Sequence, residues 1–195
     1  FLFGTAPFVV FSLLNFQLDL PLASIVALTL WLLLRTEGFR RPAFTAALGL
    51  VAGLGLLTKP TYLVYVAAPI VHQAFAGSRG GERRRRLALL GLAAGIAAVI
   101  ALPWYGQRIV GMPFQVVDRS FKQAADADQA ALFSWTWLLF YARVFQPQFG
   151  LLAGLACVWG LWALRTDRRA RAYLWLATLP ALFVFSIIQN RNLRY

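Results

Sequence analysis

The chain is short of the residues that do most chemistry in water-soluble proteins. Its 195 residues include one cysteine, one histidine and one methionine, and seven acidic side chains stand against nineteen lysines and arginines. The single Cys157 excludes a disulfide framework within the chain, and its place in an apolar run makes it a packing residue. His72 has no His, Cys or Asp beside it, which favours a structural role over metal binding. Charge is scarce as well: 13% of residues are charged and 60% are apolar, more apolar surface than a water-soluble core can hide. The bilayer must then act as the solvent. Each backbone N–H has to find its partner within its own segment, so the apolar runs are predicted helices and strands are excluded.

What is present is arginine, gathered in three short loops between apolar runs: Arg35 to Arg41, Arg79 to Arg86 and Arg165 to Arg171. The runs are Phe1 to Asn15, Leu20 to Leu34, Ala43 to Leu57, Thr61 to Phe75, Leu87 to Tyr105, Gly150 to Leu164 and Tyr173 to Gln189. They predict an all-α, polytopic transmembrane helix bundle of about seven segments in one domain over residues 1–195, the first segment truncated. Phe1 lies inside an apolar run with no initiator Met and no basic flank, so the chain reads as a fragment that lacks its N-terminal part. The three basic loops carry twelve arginines against three acids, +9, and the remaining loops seven cations against four acids, +3. The first face is therefore predicted cytoplasmic. The net charge of +12 follows from this topology and from contact with anionic lipid, and no recognition module suggests nucleic acid.

The stretch from Gly106 to Phe149 is a long external loop. It ends in Ala131 to Val144, an aromatic segment with Trp135, Trp137, Phe140 and Tyr141, broken by Ser134, Thr136 and Arg143. It reads as an interfacial helix on the outer surface, the alternative being a further crossing that would invert the third basic loop. Asp118, Asp126 and Asp128 in this stretch serve solvation, and no metal-ligand spacing is visible in it. Gly49 with Gly53, Gly91 with Gly95, and Gly150 with Gly154 recur at four-residue spacing, a pattern of close helix packing.

The middles of the runs hold no charge, which argues against an ion-coupled transporter. The ionisable groups sit instead at one membrane face: Asp19, Lys59, Arg108, Arg191 and Arg194, with Tyr195 beside the last. Cations there suit a phosphate whose acyl tail stays in the bilayer. Asp19, two residues before Pro21, suits a helix cap and equally a group that orients a sugar hydroxyl or a nearby cation. Lys59, in the sequence Gly53-Leu54-Gly55-Leu56-Leu57-Thr58-Lys59-Pro60, either snorkels to the interface or offers its ammonium to a phosphate beside a proline-started helix.

Four motifs in order, Leu18-Asp19-Leu20-Pro21-Leu22, Gly53 to Pro60, Leu102-Pro103-Trp104-Tyr105 and Asn190-Arg191-Asn192-Leu193-Arg194-Tyr195, resemble the GT-C membrane glycosyltransferases. Within that class the chain is similar to bacterial relatives of the protein O-mannosyltransferases and of the aminoarabinose transferases that act on lipid A. The resemblance covers nearly the whole chain. It implies an enzyme of the bacterial inner membrane that moves a sugar from a polyprenyl-phosphate carrier to an acceptor on the external, periplasmic face. Asp19 would match the family's acidic residue at the second external loop, Lys59 the lysine of the third, and Arg194 with Tyr195 the basic-aromatic motif near the carrier phosphate. Arg108 would be an additional cation.

The resemblance also implies what is missing. The family's catalytic aspartate lies in the first external loop, which would precede Phe1, so no catalytic residue is assigned in the chain and residues 1–195 alone are expected to be inactive. The expected partners are membrane lipid, the polyprenyl-phosphate sugar donor and an acceptor left open; no cofactor is expected and metal dependence stays open. Two other classes compete: a lipid-linked sugar flippase or permease, which should show an intramembrane polar pathway or two related halves, and a membrane scaffold, in which Asp19, Lys59 and Arg194 tolerate substitution.

Overall fold

Two positions before proline set the helix boundaries at the centre of the fold. The computed structural model describes residues 19–76, 83–108, 134–139 and 158–187, together with positions 110, 111, 114, 117, 118, 154 and 155. Its secondary structure is helical, with no strand among the described residues: α1 (Asp19–Arg35), α2 (Pro42–Thr58), α3 (Tyr62–Ala76), α4 (Arg83–Tyr105), the single turn α5 (Trp135–Leu138) and α6 (Arg168–Ile187). Arg41 precedes Pro42 and Lys59 precedes Pro60, and the proline ring disfavours the helical region for a residue in that position, although Pro69, Pro103 and Pro180 are accommodated inside α3, α4 and α6. Both are extended, Arg41 at φ −97°, ψ 105° and Lys59 at φ −161°, ψ 135°, so α2 starts and stops where the sequence places its two prolines.

The chain divides into two units, residues 21–109 with 172–181, and residues 1–20, 110–171 and 182–195. In the first unit α1 ends in a strained reversal. Glu37, Gly38 and Phe39 are all left-handed, at φ 50°, 79° and 60°. For a non-glycine residue that costs roughly 1–2 kcal/mol, a cost offset by burying the Phe39 ring, which is 1% exposed. The freed carbonyls find donors. Thr36 O accepts from the Arg40 N–H at 2.9 Å, while Leu33 O accepts from the Thr36 hydroxyl at 2.7 Å and from Gln73 Nε2 of α3 at 3.2 Å. Phe39 joins Leu32, Leu33, Leu48 and Tyr173 in one apolar cluster, and Leu22, Tyr62 and Val66 form another.

The closest contact in this unit runs between α2 and α4, which are parallel because α3 returns the chain between them. Ala93, Ala97 and Ala101 form the buried seam of α4, at four-residue spacing. Against it, a Cβ added at Gly49 would stand 2.6 Å from Ala93 O, and one added at Gly53 would stand 2.8 Å from Ile100 Cβ. Gly49 and Gly53 therefore pack as their spacing predicts. Gly91 and Gly95 do not: both are exposed, with nothing within 4 Å of an added methyl group. The alanines, offset from the glycines around the helix, took the seam instead. Gly150 lies outside the described residues.

Helix α4 also begins earlier than predicted, since Arg83 to Arg86 form its first turn. Arginine is a good helix former, and Arg83, Arg84 and Arg85 are exposed to solvent, which screens their clash with the helix dipole. At about 1.5 Å per residue α4 reaches roughly 34 Å and α6 roughly 30 Å. These two are long and apolar enough to cross a membrane, while α1, α2 and α3 are shorter apolar helices. Large apolar side chains cover the outside, among them Phe75, Val99, Leu102, Phe183 and Trp159.

In the second unit residues 158–163 are helical, and Arg165 stacks over Trp162 at 3.7 Å. Asp167 starts α6, its Oδ1 accepting the N–H groups of Arg169 and Ala170 at 3.0 and 2.9 Å. That cap draws Arg168 to Ala172 into the helix, ahead of the predicted start at Tyr173. The predicted first crossing to Asn15, most of the stretch from Gly106 to Phe149 and Cys157 lie outside the described residues. Of the aromatic segment only residues 134–139 are described, with the one turn of α5.

Candidate functional site

The joint between α2 and α3 is three residues long, Lys59, Pro60 and Thr61, and everything around it is arranged to keep it that short. Lys59 closes α2, its N–H donating to Gly55 O at 3.2 Å, and its own carbonyl accepts the Tyr62 N–H at 3.0 Å to open α3. The side chain of Lys59 is half-buried. Gly55 is needed for this: the Tyr62 ring lies where its side chain would be, 2.6 Å from an added Cβ. Beyond the ring, the Tyr62 hydroxyl meets Thr29 Oγ1 of α1 at 2.8 Å. Thr29 spends its one proton on Ile25 O, 2.7 Å away, so Tyr62 is the donor and Thr29 the acceptor.

Pro60 also leaves a debt. It has no N–H, so the carbonyl four residues earlier, Leu56 O, has no donor within the helix. Tyr105 supplies one from α4, its hydroxyl donating to Leu56 O at 2.7 Å. The Lys59-Pro60 joint and the Leu102 to Tyr105 motif are thus linked by a hydrogen bond across the α2–α4 pair. One turn further along, Gly106 N–H closes α4 on Leu102 O at 2.7 Å, and the Arg108 guanidinium lies over the Trp104 ring at 3.5 Å. Stacking of this kind orients an exposed cation and contributes about 0.5–1 kcal/mol.

Of the five residues predicted to bind substrate, Lys59 and Arg108 come to the same end of the α2–α4 pair. Asp19 is the first residue of α1, with Pro21 in its first turn. Arg194 and Tyr195 lie outside the described residues, as does Arg191. His72 packs edge-on against Tyr173 at 5.9 Å. Among the described residues no three His, Cys, Asp or Glu side chains gather as a metal site would require.

Tyr105 stands in the Leu102 to Tyr105 motif with no role legible from the motif itself, and nothing in the sequence marks Tyr62 or Thr29. One signal was readable for Tyr105: a proline that ends a helix in lipid creates a carbonyl needing a hydroxyl or amide from elsewhere.

Residues 1–105, just over half of the chain and all of α1 to α4, match the model of the dolichyl-phosphate-mannose-protein mannosyltransferase family. No curated protein and no solved structure matches the chain.

Proposed function

Because the chain belongs to the dolichyl-phosphate-mannose-protein mannosyltransferase family and is an integral membrane glycosyltransferase of the GT-C type, we propose that it transfers a sugar from a polyprenyl-phosphate carrier to an acceptor hydroxyl on the external face of the membrane. The observation that carries this reading is the Tyr105 to Leu56 hydrogen bond, which gathers Lys59 and the Trp104-stacked Arg108 at one end of a helix pair embedded in an apolar exterior. Cations at that depth suit a headgroup phosphate whose hydrocarbon tail runs down into lipid. The external assignment rests on the surplus of arginine at the opposite helix ends.

In the transfer, the acceptor oxygen bonds to the anomeric carbon, the bond from that carbon to the phosphate oxygen breaks, and polyprenyl phosphate leaves. Negative charge grows on the phosphate as the bond breaks. Lys59, Arg108 and Arg194 stabilise that charge more in the transition state than in the bound donor, which is what accelerates the step. Asp19 orients the sugar hydroxyls or one of the cations, and Tyr195 flanks the phosphate. As the new bond forms, the acceptor's proton passes to a carboxylate acting as general base. The family's description makes mannose on a dolichyl-type carrier the first donor to try and a protein hydroxyl the first acceptor.

The test is sugar transfer by the full-length protein in membranes, with Lys59→Met, Arg108→Met and Arg194→Met compared with the unaltered protein at matched expression. Loss of one cation facing a developing charge lowers turnover on the order of 10², and Lys59→Met should reach that figure. Unchanged transfer in all three variants would favour a non-catalytic scaffold and overturn the reading.

A further inference from the structure

We propose that Tyr105 is the positioning residue for Lys59, holding it through the carbonyl of Leu56. This rests on the reading above that Lys59 faces the carrier phosphate.

Lys59 is extended before Pro60, where α2 ends, and the proline ring removes the donor that Leu56 O would otherwise use. A helix-end carbonyl that lacks its intrahelical N–H is held in place by whatever donor a neighbouring element supplies. The Tyr105 hydroxyl, 2.7 Å away, is that donor. Its position is not adjustable from the α4 side. The seam at Gly53 and Ile100 sets the register of the two helices, and the Gly106 bond to Leu102 O closes the turn that carries Tyr105. Leu56 is three residues before Lys59. The backbone entering the joint is therefore pinned at Gly55 O by the Lys59 N–H and at Leu56 O by Tyr105. Removing the hydroxyl loosens the last turn of α2 and lets the joint that carries Lys59 shift, while the contacts of Gly49 with Ala93 and of Gly53 with Ile100 keep α2 and α4 together.

The experiment measures binding of a polyprenyl phosphate, with the corresponding polyprenol as control, to the full-length protein in nanodiscs, for Tyr105→Phe, Lys59→Met and their combination. Tyr105→Phe should weaken polyprenyl phosphate binding about tenfold, the effect of one lost hydrogen bond, and leave polyprenol binding unchanged. In the Lys59→Met background it should change binding less than about twofold, because residues that act through one another are not additive. Independent losses in the combined variant, or unaltered binding by Tyr105→Phe, overturn the proposal. A further variant guards against simple misfolding. Pro60→Ala combined with Tyr105→Phe lets α2 continue and offers Leu56 O an N–H again, so thermal stability should recover while phosphate affinity does not, Lys59 having moved into the helix. Recovery of affinity there would show that the shape of the joint is irrelevant and would also overturn the proposal. An unaltered protein that binds polyprenol and polyprenyl phosphate equally removes the phosphate reading itself, an outcome distinct from the failure of Tyr105 alone.

Discussion

Two glycines on opposite sides of the α2–α4 contact should respond to the same substitution with opposite signs. At Gly49 an alanine Cβ would stand 2.6 Å from Ala93 O, 2.9 Å from Ala93 Cα and 3.1 Å from Ala93 C, all backbone atoms that cannot rotate away. Ordinary contact begins at 3.4 Å, so the helices must part by about 0.8 Å, and overpacking of that kind costs about 1–3 kcal/mol. Alanine recovers roughly 0.5–1 kcal/mol over glycine within a helix, leaving a net loss of up to about 2.5 kcal/mol. At Gly95 nothing lies within 4 Å, and only the gain remains. For a chain of this length 1 kcal/mol moves the unfolding midpoint by about 2–4 °C. Gly49→Ala should therefore lower it by up to about 10 °C and Gly95→Ala raise it by about 1–4 °C, measured by tryptophan fluorescence in detergent. Shifts of the same sign and size would refute the assigned seam.

The same measurement tests the direction of the Thr29–Tyr62 bond. Thr29→Val strands the buried Tyr62 hydroxyl and should cost about 1–3 kcal/mol, whereas Tyr62→Phe removes only a donor to an oxygen already bonded elsewhere and should cost about 0.5–1.5 kcal/mol; a larger loss for Tyr62→Phe would reverse the assignment. Sidedness is checked by alkaline phosphatase fusions, which should be active when joined after Thr61 or Arg108 and inactive after Gly38 or Arg165. The opposite pattern would put Lys59 on the cytoplasmic face and end the proposed reaction there.

The parts of this fold that could be read in the sequence are those set by covalent chemistry. Prolines at positions 42 and 60 bound α2 because a ring disfavours helix for its neighbour, and the Lys59 joint is as tight as its sequence implies, whereas Pro69, Pro103 and Pro180 lie inside helices and mark no boundary. Helix α4 was one turn longer than read because arginine, although charged, is no obstacle to a helix when its side chain reaches water. The facing of the glycines could not be read. In a soluble protein the apolar stripe marks the buried side of a helix, but in lipid the outside is equally apolar, and Gly49 and Gly95 sit in indistinguishable surroundings along the chain. The candidate site divides similarly. Lys59 and Arg108 stand out as rare cations, whereas Tyr105 and Thr29 matter through Leu56 and Tyr62, partners dozens of positions away.

The three-residue joint also dictates an order of assembly. With only Lys59, Pro60 and Thr61 between them, α2 and α3 cannot dock separately, so they assemble as a single helical hairpin. The acceptor at Leu56 is then in place long before its donor, because Tyr105 is synthesised 49 positions later. Until α4 arrives, the hairpin waits with one carbonyl unanswered, and the arrival of that helix completes its end.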